Sequence, residues 1–300
     1  MKQYLLSAGT SLLLLPLILY SSLHFLRPPQ TEKEQVLFRG IVYKRYARFT
    51  PRPIIIHIVS VDLTVPGVKP LVTPGMPLGS DRETSASTTS EFLREFKLQL
   101  AVNGSYFHHF EEKAPWHYYP RSGDPSHPLG EVISNGYRYS KTEGGWRVLC
   151  FSQSNRAQIF DSGKCPMDTI QAIAGSKILI ERGKPKVKFL QDSNDKPYPR
   201  MAVAIDKEGK KLWLITVDGK QPLYSEGVKI SELTDIVMDL GAYTALNLDG
   251  GGSTTLVMAT RQGAKVLNAP IHTKLPMRER PVANHLGFYA NPLDGGNKGK

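Results

Sequence analysis

The chain has 300 residues, 40% of them hydrophobic and 22% charged, with a formal net charge of +11. This balance excludes a disordered chain and one wholly embedded in lipid, and it leaves enough apolar residues to bury a sizeable core. The positive excess favours anionic partners, but Lys and Arg are scattered and no zinc-finger or RNA-recognition signature is present, so nucleic acid is not expected.

Residues 4–26 are almost continuously apolar, close to the ~20 residues a membrane helix needs. They follow Lys2 and precede Arg27, Pro28 and Pro29. This predicts a signal peptide or membrane anchor over residues 1–27, with residues 4–26 meeting the membrane, and an extracytoplasmic remainder that is anchored or secreted. Residues 28–35 read as a polar linker, 36–291 as one globular domain and 292–300 as a disordered tail.

Within the domain, β-branched residues predict a buried strand over 54–63, with 68–72 as a short partner. Thr88 and Glu91 form a capping box, and Phe92, Leu93 and Phe96 make a helical stripe, so a helix should end near Lys97. It leads into an apolar strand over 98–102. Residues 108–131 hold prolines, aromatics and histidines without periodicity, the pattern of a long surface loop of the kind that covers sites. A hairpin follows over 146–160, then a Gly/Lys/Pro-rich segment over 182–199. Two adjacent strands come next, over 200–206 and 210–217, joined by a turn at Glu208 and Gly209. Ser231 is placed to cap a helix bearing Leu233, Ile236, Val237 and Leu240, with Gly241 as its stop. Strands over 244–248, 255–259 and 282–289 complete the pattern. Strands outnumber helices at irregular spacing, which predicts an α+β fold: a mixed β-sheet core flanked by helices, after the N-terminal hydrophobic helix.

The strongest local signal for chemistry is Asp249-Gly250-Gly251-Gly252-Ser253-Thr254. Three successive glycines remove side chains and present backbone N–H groups as an anion cradle, Ser253 and Thr254 add hydroxyls, and Asp249 supplies a carboxylate. Asn103-Gly104 and Asp218-Gly219 each place a small polar group at a strand end. Arg200 and Arg280 stand beside prolines, where a guanidinium can clamp phosphate with two hydrogen bonds. The P-loop pattern is absent, Thr255 breaks the G-x-S-x-G frame, and neither an EF-hand loop nor an H-E-x-x-H helix occurs. His108, His109 and His117 lie near Glu111 and Glu112 without a familiar metal spacing, so no cofactor is required, although a divalent cation has room. Cys150 and Cys165 either close a short loop in an oxidising compartment or remain buried thiols.

These places are also where the sequence resembles the phosphodiester glycosidase family. The likeness runs through residues 103–107 (Asn-Gly-Ser-Tyr-Phe), 200–206, 216–219, 247–256 and 279–284, and covers about residues 59–289. It implies hydrolysis at the anomeric carbon of a sugar-1-phosphodiester in a phosphorylated envelope or extracellular glycan, releasing free sugar. Arg200, Arg280 and the amides of residues 250–253 would hold the departing phosphate. Asp249 or Asp218 would activate water or stabilise the cationic transition state, and Asn103 would orient a hydroxyl or phosphate oxygen. Two rival readings remain: a metal-dependent phosphodiesterase using Asp218, Asp249 and the loop histidines, and an envelope protein that binds anionic glycans without turnover.

Overall fold

The computed structural model describes residues 22–77, 80, 82–186 and 195–293. The fold is mostly β, with 46% of residues in strands and 9% helical, which corrects the expected α+β class. Three large sheets carry it. The eight-stranded sheet runs in the order Lys33–Phe38, Ile41–Arg48, Ile54–Asp62, Lys211–Val217, Arg200–Ile205, Thr244–Asn247, Lys177–Glu181 and Lys184–Pro185. One five-stranded sheet orders Gly263–Val266, Leu256–Thr260, Leu100–Asn103, His285–Tyr289 and Lys69–Val72. The other orders Tyr137–Ser140, Val132–Ser134, Thr169–Gly175, Arg147–Ser152 and Ala157–Phe160. Pairing throughout these sheets is antiparallel, where a mixed sheet was expected.

Side-chain alternation explains the layering. Along Arg200–Ile205, Met201, Val203 and Ile205 enter a central core shared with Leu100, Val102, Phe151, Ile173, Leu286 and Phe288 of the five-stranded sheets. Ala202 and Ala204 face the opposite way, beside Ile215 and Val217, against Ile230, Leu233, Ile236 and Val237 of the helix Ile230–Asp239. A period of two thus gives the eight-stranded sheet two buried faces. On the outer face of the first five-stranded sheet, Phe92 and Leu93 of the helix Thr89–Glu95 pack on Leu71, Ala101 and Val257. Both helices are too short to form layers of their own, which is why helices do not define the class.

Several expectations hold locally. The Thr88–Glu91 capping box is present, Arg147–Ser152 pairs with Ala157–Phe160, and Gly241 ends its helix with φ at +72°. Others need correction. Lys69–Val72 pairs with His285–Tyr289, because the preceding turn carries it into another sheet than Ile54–Asp62. Ser231 is not the cap: the helix starts at Ile230, and its free amides are met by Asp195, whose Oδ2 accepts from Ile230 N at 2.6 Å and Ser231 N at 3.4 Å. The loop expected over 108–131 contains short strands, including the ribbon of Glu111–Ala114 with His117–Tyr119. Strands of three or four residues are too short for periodicity to reveal.

Most of the apolar N-terminal run, residues 4–21, lies outside the described residues, as does the tail over 294–300. Among the described residues no helix is long and apolar enough to cross a membrane. Cys150 and Cys165 are joined in a disulfide across a sequence separation of 15, with Cα atoms 5.9 Å apart. Constraint of the unfolded chain by a loop of that size is worth about 3 kcal/mol. Denaturant unfolding with and without reductant should therefore differ by roughly 2–4 kcal/mol, and equal midpoints would show that the bridge adds nothing.

Candidate active site

The Gly-rich segment crosses between sheets: Thr244–Asn247 belongs to the eight-stranded sheet and Leu256–Thr260 to a five-stranded one. Two buried asparagines pin the crossing. Asn103 donates through Nδ2 to the Asp249 carbonyl at 2.7 Å and accepts at Oδ1 from Thr255 N at 3.0 Å. Asn268 donates to the Thr254 carbonyl at 3.0 Å and accepts from Leu256 N at 2.8 Å. Asn268 is in turn held by Asp218, whose Oδ1 accepts from Asn268 Nδ2 at 3.0 Å and Ala269 N at 2.8 Å. The other Asp218 oxygen accepts from His57 Nε2 at 3.0 Å, which leaves His57 Nδ1 to take the Tyr43 hydroxyl at 2.8 Å.

Each glycine has its own reason. Gly251 adopts φ +62° and turns into the 3-10 element Gly251–Ser253. A Cβ at Gly250 would stand 2.6 Å from the Pro199 carbonyl, and one at Gly252 would stand 2.4 Å from an Arg280 guanidinium nitrogen.

Asp249 and Gly250 line a cavity of about 250 Å³ with Tyr106, Phe107, Phe110, Tyr198, Arg200 and Arg280. A larger hollow of about 550 Å³, near Lys69, Phe96 and Tyr289, has no carboxylate or arginine in its wall. The carboxylate and the two arginines singled out by the sequence meet in the smaller one. Burial pushes the Asp249 carboxyl from 3.8 up to about 6, against the lowering influence of the Ser253 hydroxyl, the Arg280 charge and the Gly250 amide. Arg280 is nearly buried. Its Nε donates to His272 Nδ1 at 3.3 Å, one terminal nitrogen donates to Ser253 Oγ at 3.3 Å, and the other bonds Glu112. Burial, with the charges of Arg280 and Arg278, holds the His272 imidazole down to about 3, so it stays neutral and can accept from Arg280. Arg200 is fixed by Asp195 at 3.0 Å and by the Val228 carbonyl at 3.1 Å, and its guanidinium lies 5.6 Å from the centre of the Tyr198 ring.

The structure thus brings Asp249, Gly250, Arg200 and Arg280 to one cavity, with Ser253 directly behind. It does not do so for the others. The Asn103 side chain is engaged by the loop backbone, and Asp218 is a fully bonded anchor away from the cavity wall. Thr254 is buried, its hydroxyl without a hydrogen bond. Two amides of the expected cradle are engaged by the backbone, Gly251 N by Pro199 and Ser253 N by Gly250, and the Gly250 amide meets the Asp249 carboxyl. Among the described residues no three His, Cys, Asp or Glu side chains converge as metal ligands. Sequence reasoning missed Asp195, Asn268, His272 and Tyr198, since a lone polar residue in a loop carries no spacing signal. Glu112 was noted only as part of a His/Glu-rich loop, and Tyr106 lay within the 103–107 motif.

An antiparallel β domain carries a carboxylate and two arginines around one aromatic-walled cleft. Residues 96–289 match the phosphodiester glycosidase family, and the chain belongs to that family. The fold is similar to that of a hypothetical protein from Synechocystis, with a TM-score of 0.61 and 14% identity over 88% of this chain and 64% of that one. The present chain thus spans just under two thirds of that protein. It is also similar to the zebrafish N-acetylglucosamine-1-phosphodiester alpha-N-acetylglucosaminidase catalytic domain auto-inhibited by pro-peptide, with a TM-score of 0.57 and 22% identity over 88% and 89% of the two chains. At these identities the likeness is one of fold. No curated protein matches at a significant level.

Two outcomes are expected. Gly252→Ala should push Arg280 aside and weaken phosphate binding on the order of tenfold or more, read by calorimetry; unchanged affinity would mean the close approach is irrelevant. A carboxyl raised in the folded state stabilises the fold below its unfolded value and loses that contribution as pH rises to about 6. His272 and His285, both lowered to about 3, act in the opposite direction over pH 3 to 6.5. The stability of Asp249→Asn relative to wild type should therefore increase with pH between about 4 and 6 and level off above, as measured by denaturant unfolding.

Proposed function

We propose that the protein hydrolyses the glycosidic bond of a sugar-1-phosphodiester. The observation that carries this reading is the presence of Asp249, Arg200 and Arg280 in the wall of one cavity. The bond between the anomeric carbon and the bridging phosphate oxygen breaks, and its electron pair stays on that oxygen. The acceptor is left as a phosphomonoester and water completes the free sugar. Arg200 and Arg280 stabilise the leaving phosphate, so demand for a general acid is small. Asp249, ionised, takes the proton of the attacking water. The aromatic walls offer Tyr106, Phe107, Phe110 and Tyr198 as faces for a sugar ring. An extracytoplasmic glycan substrate is supported by the Cys150–Cys165 disulfide, a bond that persists in oxidising compartments, and by the +11 net charge.

The test is product identity. The purified protein, given a chromogenic sugar-1-phosphodiester in heavy-oxygen water, should release a phosphomonoester and free sugar that carries the label; sugar-1-phosphate as product would place cleavage at the P–O bond to the aglycone, and label in the phosphate would place attack at phosphorus. Asp249→Asn should reduce kcat at least ~100-fold. Because the working form is the carboxylate, kcat/KM should rise with pH through about 6, and a profile that falls across that range would rule out Asp249 as base.

A further inference from the structure

Arg280 is already paired. The Glu112 carboxylate bonds one terminal nitrogen of its guanidinium and lies 3.6 Å from His272 Nδ1. Glu112 comes from the Glu111–Ala114 strand of the short ribbon, which follows closely on Tyr106, Phe107 and Phe110 of the cavity wall. The ribbon sits over the site, fastened on its far strand by Tyr119, which donates to the Pro125 carbonyl at 2.6 Å, and by Arg121, which donates to the Trp116 carbonyl at 3.2 Å. Phe110, just before it, lies over the Arg280 guanidinium, 4.3 Å from ring centre to carbon. Arg278 donates to the Pro115 carbonyl at 2.7 Å and lies 4.7 Å from the centre of the Tyr118 ring. Tyr118 meets the His272 ring edge-on at 4.7 Å. The tip is in water, with Trp116 77% exposed, and Glu112 itself keeps 26% of its side-chain surface.

We infer that Glu112 is an internal competitor for substrate phosphate: its carboxylate occupies Arg280 in the free protein, and an incoming phosphodiester displaces it and lifts the ribbon. The inference rests on the phosphate role given to Arg280 above. Its chemistry is one anion exchanged for another. A guanidinium makes its best hydrogen bonds with planar or tetrahedral oxyanions, and carboxylate and phosphate present similar oxygen pairs. Left unpaired, a nearly buried Arg280 would be costly, so the free protein supplies a carboxylate. Since Glu112 reaches solvent, and Arg278 holds the ribbon at its turn through the Pro115 carbonyl and not through Glu112, the carboxylate can leave without unfolding the domain. The neighbour Glu111 serves as the internal control: it pairs with Lys113 and His117 on the exposed side of the same ribbon.

Titration of the full-length protein with inorganic phosphate by calorimetry tests this. If Glu112 holds the site shut about nine-tenths of the time, Glu112→Gln should bind phosphate roughly tenfold more tightly than wild type. Glu111→Gln, with the same change in net charge, should bind as wild type does. Equal or weaker binding by Glu112→Gln overturns the competition, and equal tightening by both variants reduces it to bulk charge. Should Glu112→Gln fold poorly, wild type still decides the matter: saturating phosphate should speed amide hydrogen exchange across residues 111–119, and unchanged or slower exchange overturns the displacement. Arg280→Gln separates the two readings. Phosphate binding that ignores Arg280 overturns both, whereas binding that requires Arg280 but ignores Glu112 leaves the site intact and removes the competitor.

Discussion

Everything at the site depends on one constraint, the clamping of residues 249–256 by two asparagine side chains. A chain that leaves one sheet and enters another within nine residues exposes backbone groups that neither sheet can pair. Asn103 and Asn268 each offer a donor and an acceptor at fixed spacing, and they bond four of those groups: the carbonyls of Asp249 and Thr254 and the amides of Thr255 and Leu256. A buried amide left unpaired would be costly, so the clamp fixes the path of the turn as well as its stability. Asp218, His57 and Tyr43 extend it inward as a second tier that holds Asn268 in place.

Against that rigid floor Asp249 and His272 are both held away from their charged forms while the arginines are paired. Asp249 is pushed toward its neutral form by burial, yet it faces an arginine through the Ser253 hydroxyl. The imidazole that Arg280 donates to is kept neutral by burial and, to a lesser degree, by the arginines around it. Such frustration is characteristic of sites that must meet charge arriving with a ligand. Gly252 belongs to the same arrangement, since the closeness of Arg280 to the turn requires a residue without a side chain.

Much of the scaffold was legible. The strands over 54–63, 200–206 and 210–217 announce themselves by β-branched residues, and the Thr88–Glu91 cap fixes a helix start through local chemistry. The helix at Ile230 shows the opposite case: its amides are met by Asp195, 35 residues away, and no local pattern could point there. The fold class was misjudged for a related reason. The ribbon and the other strands of two to four residues between 107 and 128 are too short to be read, and they, with the short length of both helices, make the domain β rather than α+β.

The sequence by itself determined that Asp249, Arg200 and Arg280 are candidates and that the glycines mark a close approach, because residue type limits what a backbone or side chain can do. It could not assign their roles. Asn103 and Asp218 carry the same functional groups whether they face substrate or backbone, and only packing set both against the backbone of the turn and its anchor, just as only packing turned the Gly251 amide toward Pro199 and set Glu112 against Arg280. Hydrogen-bond partners drawn from strands more than a hundred residues apart are a property of the assembled sheets, and they exist nowhere in the order of the chain.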